Sequence, residues 1–279
     1  MHDRILVTGG TGKTGRRTAS QLGALGVPVL AASRQSNAQG SVVFDWLAPE
    51  TYAGALDAVR AVYLVAPPGV SETLAVMRPF LEQAVTSGVK RFVLLSASSV
   101  DEGGPVMGQV HAWLRANAPQ WVVLRPTWFM QNFSEGPHRV TICQSDTIYS
   151  ATGSGRVGFI DADDIAAVAA RMLVRPDVPN GELLLTGPDA MSYNEVAEQI
   201  AVARGRPIGH RNLDEDALRD RHVSDGVPVA FAGLLAAMDT SIAHGSEDRV
   251  TGEVERITGR PAQNFATFAK AAAGLWTHD

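Results

Sequence analysis

A short apolar run, Ile5–Thr8, passes directly into Thr8-Gly9-Gly10-Thr11-Gly12-Lys13-Thr14-Gly15, and then into Thr14–Leu25, where apolar residues recur at helical spacing. Gly9, Gly12 and Gly15 stand three residues apart. A strand that turns straight into a helix needs unusual φ values, room for a ligand to approach the backbone, and tight helix–strand packing. Glycine meets all three needs. The helix start then offers unpaired N–H groups and partial positive charge to a phosphate. Gly9, Thr11, Gly12, Lys13, Thr14 and Gly15 are therefore expected to cradle the pyrophosphate of a dinucleotide. Gly12-Lys13-Thr14 imitates the end of a Walker loop. That loop needs a glycine five residues before Gly12, where the chain has Val7, so the nucleoside-triphosphatase reading fails.

The rhythm of the first half supports the turn. Apolar runs at Ile5–Thr8, Pro28–Ala32, Val42–Phe44, Ala61–Val65, Arg91–Ser96 and Trp121–Arg125 alternate with helical stretches at Thr14–Leu25, Ser71–Ser87 and Val106–Asn117. Such alternation implies a parallel sheet with crossover helices, its strands apolar on both faces. After Arg125 turn-rich segments surround a strong helix at Ala162–Leu173, opened by Asp161-Ala162-Asp163-Asp164, with carboxylates at the positive end of the dipole. A strand at Glu182–Thr186 follows, then a helix opening at Ser192 with Glu195 at capping-box spacing. From Asn212 onward the chain reads as short helices. The expected fold is α/β: a doubly wound parallel Rossmann sheet over residues 1–175, with an inserted loop at about 130–158. A smaller, mostly helical substrate region is expected over 176–279.

Composition narrows the function classes. The net charge is −5 and no basic block interrupts the chain, which argues against nucleic acid as the partner. Apolar runs reach only about ten residues, short of the roughly 20 that a membrane span needs. The first strand begins too early for a secretory leader. Cys143 is the only cysteine, so neither an internal disulfide nor a multi-cysteine metal site is expected, and the histidines show no metal spacing. A cytoplasmic protein acting on a small molecule is the expectation, of oligomeric state that the sequence leaves open. Arginine-rich, lysine-poor composition suggests a bacterial source.

The second strand bears on NADH against NADPH. An NADH site usually ends this strand in Asp or Glu, for the ribose 2′-hydroxyl. Here the strand ends Ala31-Ala32-Ser33-Arg34, and no acid follows until Asp45. Ser33 and Arg34 suit a 2′-phosphate, helped by Lys13 and Arg16, and the expected cofactor is NADP(H). The competing reading makes these cations solvated surface groups. Asp45 and Trp46 end the third strand and are expected to flank the adenine, with a core role for Trp46 as the alternative.

Short-chain reductases commonly protonate their substrate with a Tyr-x-x-x-Lys pair. Tyr52, Tyr63, Tyr149 and Tyr193 are followed four residues later by Leu56, Pro67, Gly153 and Ala197, so no such pair exists. His111 lies in the corresponding region and is the candidate acid or base, against a capping or surface role. Without such an acid the reaction must tolerate its absence. Hydride addition to a cationic iminium does, and so does quinone reduction. Ordinary ketone reduction, which generates an alkoxide, fits less well.

The glycine turn, Phe44-Asp45-Trp46-Leu47, Ala61-Val62-Tyr63-Leu64-Val65-Ala66-Pro67 and Leu124-Arg125-Pro126-Thr127-Trp128-Phe129-Met130-Gln131-Asn132-Phe133 resemble the NmrA-like atypical short-chain reductases. Within these the chain is most similar to the ergot-alkaloid festuclavine/agroclavine synthase group. The similarity continues through Asp161–Asp164, Leu185-Thr186-Gly187-Pro188 and Thr258-Gly259-Arg260-Pro261. The resemblance implies an NADP-binding Rossmann fold and reduction of a cyclic iminium without the Tyr/Lys pair. It also implies that Val65, Ala66 and Pro67 border the nicotinamide ribose with Ser96 and Ala97 beside them. Pro126, Trp128 and Phe129 are implied to face the nicotinamide or the substrate.

Trp113, Trp128, Phe129, Met130 and Phe133 form a candidate aromatic wall for a flat, cyclic or cationic substrate. Hydrophobic core is the equal alternative for each. Three functions follow: an imine or iminium reductase using NADPH, a quinone or enone reductase, or a non-catalytic NADP-binding redox sensor that contacts a partner protein.

Overall fold

Apolar runs bounded by Gly and Pro become strands, and the amphipathic stretches between them become the crossover helices. The computed structural model describes residues 3–35 and 40–277. The chain forms Arg4–Val7 (β1), Lys13–Ala24 (α1), Val29–Ser33 (β2), Ser41–Val43 (β3), Tyr52–Ala55 (α2) and Val59–Leu64 (β4). It continues through Thr73–Thr86 (α3), Arg91–Leu95 (β5), Met107–Asn117 (α4) and Gln120–Pro126 (β6). Pro137–Ser145 (α5), Thr147–Ser150 (β7) and Arg156–Val157 (β8) precede Ala162–Val174 (α6) and Gly181–Leu185 (β9). The rest is Met191–Ser192 (β10), Tyr193–Arg204 (α7), Gly209–Asn212 (β11), Glu215–Ser224 (α8), Val229–Ala243 (α9), Glu253–Thr258 (α10) and Phe265–Ala272 (α11).

These elements fall into two compact units. The first holds residues 1–126, 162–185 and 253–260, and the second 127–161, 186–252 and 261–279. The division differs from a single boundary at 175, because β9 and α10 belong with the sheet. β9 pairs with β6 from Val122↔Gly181 to Pro126↔Leu185, and Arg260 reaches back to Asp164 at 2.6 Å.

The first unit is a seven-stranded sheet in the order β3-β2-β1-β4-β5-β6-β9, parallel at every pairing. This is the expected Rossmann-like sheet, with helices on both faces. Leu6, Val62, Leu64, Phe92, Leu94 and Val123 pack under α3 and α4 with Met77, Phe80, Leu81 and Leu114. Residues of opposite parity point the other way, where α1 and α6 pack together. The strand order reverses between β2 and β4 at β1, and open α/β sheets bind ligands at the carboxyl ends beside such a reversal.

The second unit is not mainly helical throughout. The segment expected as an inserted loop, 130–158, folds into α5, β7 and β8. β7 pairs in parallel with β11, and β8 pairs antiparallel with β10. Ser192 caps α7, its hydroxyl accepting from the Glu195 N–H while the Glu195 carboxylate accepts from the Ser192 N–H at 2.7 Å, as the spacing predicts. The core gathers Phe133, Phe159, Tyr193, Phe265, Phe268 and Trp276, and the Trp276 indole donates to the Phe133 carbonyl at 2.7 Å.

Candidate functional site

The glycine turn hangs from a latch that the sequence does not advertise. The Thr8 hydroxyl, fully buried, donates to the Tyr63 carbonyl at 3.0 Å and accepts from the Val65 N–H at 2.7 Å. It thereby locks the carboxyl ends of β1 and β4 together. Gly9 then takes φ +61°, with Val65 so close that a Cβ on Gly9 would lie 3.1 Å from the valine Cβ. The Gly12 N–H closes the turn on the Gly9 carbonyl at 2.8 Å. At Gly15 a Cβ would stand 2.1 Å from that same carbonyl oxygen, so only glycine lets α1 approach the turn.

Helix α1 begins with Gly12 as its N-cap, so no side chain caps it, and no acidic residue occupies its first turn. This is the arrangement that receives a phosphate. Beside it lies a cleft of about 610 Å³, lined by Gly10, Thr11, Ala31, Ser33, Arg34, Gln35 and Ser41. Thr11 and Arg34 are exposed, and no carboxylate is among the lining residues. The Ser33 hydroxyl donates to the Gln35 carbonyl, bracing the loop that presents Arg34. Lys13 is half-buried and Thr14 buried, while Arg16 is exposed. The residues therefore fit a dinucleotide: a side-chain-free cradle at a helix start, and a cation on the wall of the adjoining cleft.

The other strand ends continue the row. Val65, Ala66 and Pro67 are half-exposed just after β4, and Ser96 and Ala97 just after β5. The Ser96 N–H donates to Leu124 O at 2.8 Å and the Ser98 N–H to Pro126 O at 2.9 Å, which extends the pairing to the end of β6. Adjacent strands lie about 4.8 Å apart, so Gly9, Val65, Ser96 and Pro126 form one line along the sheet's carboxyl edge. Asp45 is half-buried, its carboxylate accepting from the Leu47 N–H at 2.9 Å. Trp46 is core. Its ring meets Phe44 at 4.8 Å and Phe80 at 5.2 Å, edge to face, which commits it to packing rather than to the adenine.

His111 departs from the expected acid. Its side chain is 3% exposed, rests on Trp121 with ring centroids 5.2 Å apart, and has Glu182 at 4.0 Å. Trp121 lies at the start of β6, five residues and roughly 16 Å before its carboxyl end. Burial lowers the imidazole pKa against the opposing pull of Glu102 and Glu182. The same Glu182 is held by Arg125 at 3.0 Å, and Arg125 also reaches Asp101 at 2.7 Å and the Ser98 carbonyl at 2.9 Å. His111 is a buried neutral imidazole that shares Glu182 with this ion-pair network. Trp113, on the same helix, is 9% exposed and lies in the core under α4.

In the second unit Trp128 and Phe129 remain half-exposed, held by a short bridge in which the Ile160 N–H donates to Trp128 O at 3.0 Å and the Met130 N–H to Ile160 O at 2.9 Å. Met130 and Phe133, expected on the substrate wall, are 1% and 0% exposed, and Phe133 packs edge to face on Phe159, Tyr193 and Phe265. They are core, because this unit needs its own apolar centre. Asp161, read from the sequence as a helix-start carboxylate, is in fact buried and accepts from Gln131 at 3.0 Å and Gln263 at 2.9 Å; its glutamine partners carry no recognisable spacing. Asp163 and Asp164, at the start of α6, pair with Arg17 at 3.3 Å and Arg260 at 2.6 Å. Among the described residues there is no group of metal-ligating side chains and no helix long and apolar enough to cross a membrane. His2 and His278 lie outside the described residues.

Comparison with known proteins agrees with the cradle. Residues 9–176 match the NAD(P)H-binding family model. Over 277 residues the chain is 44% identical to the oxidoreductase YesF of Bacillus subtilis (strain 168), covering 98% of this chain and 96% of that one. It is 38% identical to festuclavine synthase I of Penicillium roqueforti (strain FM164), covering 98% and 99%. An NADPH-dependent quinone oxidoreductase from Escherichia coli, solved with NADPH, shares the fold at a TM-score of 0.83 and 21% identity, covering 96% of this chain and 99% of that one. The chain belongs to the NAD(P)H-binding atypical short-chain reductases, in the group that includes the festuclavine synthases, and is an NAD(P)H-dependent oxidoreductase.

Proposed function

We propose that the chain reduces a small cyclic imine or iminium with NADPH. The observation that carries the cofactor is Arg34 on the cleft wall beside the glycine turn, with no carboxylate facing it. A guanidinium there pairs with a ribose 2′-phosphate, and an acid in its place would repel one. Gly9, Gly12 and Gly15 admit the pyrophosphate, the uncapped start of α1 stabilises its charge, and Val65 to Pro67 with Ser96 and Ala97 border the ribose next to the ring. When bound, NADPH supplies the hydride.

The acceptor follows from what the chain lacks. An iminium carbon takes hydride and becomes a neutral amine, so no acid has to deliver a proton in that step. A buried, neutral His111 costs such a reaction nothing, whereas a ketone's alkoxide would need a donor that this imidazole does not supply. Trp128 and Phe129 offer half-exposed aromatic faces to a flat cation. The festuclavine synthase relationship supports the same class.

The test is NADPH oxidation measured with cyclic iminium ions, quinones and aldehydes, on the natural chain and on Arg34→Ala. Iminium ions should be the best acceptors. Loss of one charge-assisted contact of ~1.5 kcal/mol should raise KM for NADPH about tenfold and leave KM for NADH nearly unchanged. An unaltered NADPH/NADH ratio in the variant removes Arg34 from the site, and turnover confined to quinones removes the iminium.

A further inference from the structure

The segment that joins β5 to α4 is folded against the backbone preference of one of its own residues. Val106, directly before α4, takes φ 54° and ψ −109°. The Gly108 N–H donates to the Pro105 carbonyl at 3.1 Å and closes a tight turn over Pro105-Val106-Met107-Gly108. Val106 therefore has the dihedrals of the first central position of a type II′ turn, a place that glycine ordinarily fills. A β-branched residue at positive φ is a clear outlier. Glycines stand close by at 103, 104 and 108, yet the strained position carries valine. Its half-buried side chain packs against the core that the sheet shares with α3 and α4, and that packing holds the conformation.

Two further devices hold the segment down. The Gly103 N–H donates to the Gly108 carbonyl at 2.8 Å, and Gly108 lies so near that a Cβ on it would stand 2.3 Å from the Asp101 carbonyl oxygen. Arg125, near the end of β6 and 13% exposed, donates to the Ser98 carbonyl at 2.9 Å and to the Asp101 carboxylate at 2.7 Å. Both Glu182 oxygens, each at 3.0 Å, anchor the same guanidinium. Asp101 itself is 87% exposed, so this latch is open to water and can break and re-form. The seat of Val106 and the Arg125 latch thus oppose the strain at Val106, and such opposition is what makes an element switch between two discrete arrangements.

The segment leaves from the carboxyl edge of the sheet. Ser96 and Ala97 precede it, and Ser98, 5% exposed, fixes its near end through its N–H to the Pro126 carbonyl at 2.9 Å. We propose that residues 99–106 form a strap that opens and closes on this edge and sets how fast NADPH enters and leaves, with Arg125 and Asp101 as its latch and the Val106 turn as the stored strain that releases it. This deepens the reading of the edge as the cofactor site and rests on it, since Ser96 and Ala97 are there read as the border of the ribose. Arg125 acts through the strap and is a positioning residue.

The test uses the full chain and two measurements. Amide hydrogen exchange over 99–108 in the unliganded protein reads the opening of the strap. Stopped-flow release of NADPH, chased with excess NADP⁺, reads its effect on the cofactor. Val106→Ala and Val106→Gly both remove the seated side chain, but only Gly adopts this φ without strain. At an ordinary position Gly would open the strap more than Ala. Here Ala should open it about fivefold more than Gly and release NADPH faster by about the same factor. Asp101→Asn weakens the latch and should speed both processes about two- to fivefold over the natural protein, the range of an exposed ion pair. Gly opening as much as Ala, or more, overturns the strain and the strap with it. The expected order of exchange with NADPH release alike in every variant overturns the gate. Failure to bind NADPH, with the order of exchange as expected, overturns instead the cofactor reading of this edge, and the gate falls with it; the exchange data keep the two failures apart.

Discussion

A buried carboxylate with no cation to offset it leaves a mark on stability, and Asp239 on α9, 8% exposed, is one. Desolvation raises the Asp239 pKa from 3.8 to about 6, against the lowering effect of the Ala151 N–H. A raised folded value means that the native state prefers the proton. Its contribution to stability is therefore full below the unfolded value and disappears as pH rises through about 6. Two pH units correspond to about 3 kcal/mol, so the ionised side chain should weaken the unliganded protein by about that much at pH 8. Asn at this position cannot ionise. Asp239→Asn is expected to melt higher than the natural protein at pH 8 and at nearly the same temperature at pH 4. His138 is held low by burial, so stability is lost as pH falls from its ordinary 6.5 toward about 4. It does so equally in both proteins, and the difference between them isolates Asp239. A gap in melting temperature that does not grow between pH 4 and pH 8 would mean that the native protein does not bury this charge.

At the scale of elements, one buried arginine fastens the route from α6 into β9. Arg91 opens β5 and is 6% exposed. Its guanidinium donates to Gln120 Oε1 at 2.7 and 3.0 Å, to Met172 O at 3.1 Å, to Pro176 O at 2.9 Å and to the Arg175 carbonyl. Arg91→Met should fill similar space but leave those carbonyls unpaired. The expected cost is about 3 kcal/mol in urea unfolding, at 1–3 kcal/mol for each group that finds no water. A loss under about 0.5 kcal/mol would show that water replaces the clamp. Nothing in the pattern around Arg91 announces this role, because its partners are the Gln120 side chain on the next strand and backbone carbonyls some 80 residues away. The same limit explains what else escaped the sequence. β1 to β6 were legible because both faces of each central strand are apolar. β7, β8, β10 and β11 are two to four residues long. β11 is Gly-His-Arg-Asn, a run with no apolar alternation, and finds its partner about 60 residues earlier. At the site, the glycine turn was legible because the positive φ at Gly9 and the close approach at Gly15 suit glycine alone. Trp46, Trp113, Met130 and Phe133 were not, since the same side chains build both a ligand wall and a core, and only exposure separates the two. The burial of His111 was not legible because sequence does not reveal the Trp121 ring that packs on it across from β6.

For the whole molecule, connectivity decides how stability is shared. The chain passes from one unit to the other after Pro126, Asp161, Leu185, Gly252 and Arg260, so neither unit is a continuous piece of chain. Cutting at 175, where the change of sequence rhythm suggests a boundary, removes β9 from the edge of the sheet and Arg260 from Asp164. It leaves the outer edge of β6, from Val122 to Pro126, without the backbone partners that β9 supplies. A fragment of residues 1–175 should therefore fail to give a cooperative melt even with NADPH present. The intact chain should behave oppositely. Each unit's unfolding loosens segments anchored at both ends in the other, so calorimetry should show one transition rather than two. On the proposed assignment of the glycine turn and Arg34 to NADPH, a concentration about 100 times its Kd should add ~2.7 kcal/mol and move that single transition upward as a whole. Two resolved transitions, with only one moved by NADPH, would show that the covalent crossings do not couple the units. Joined to a well-folded 1–175 fragment, that outcome would restore the simpler division into a nucleotide-binding half and an appended second domain.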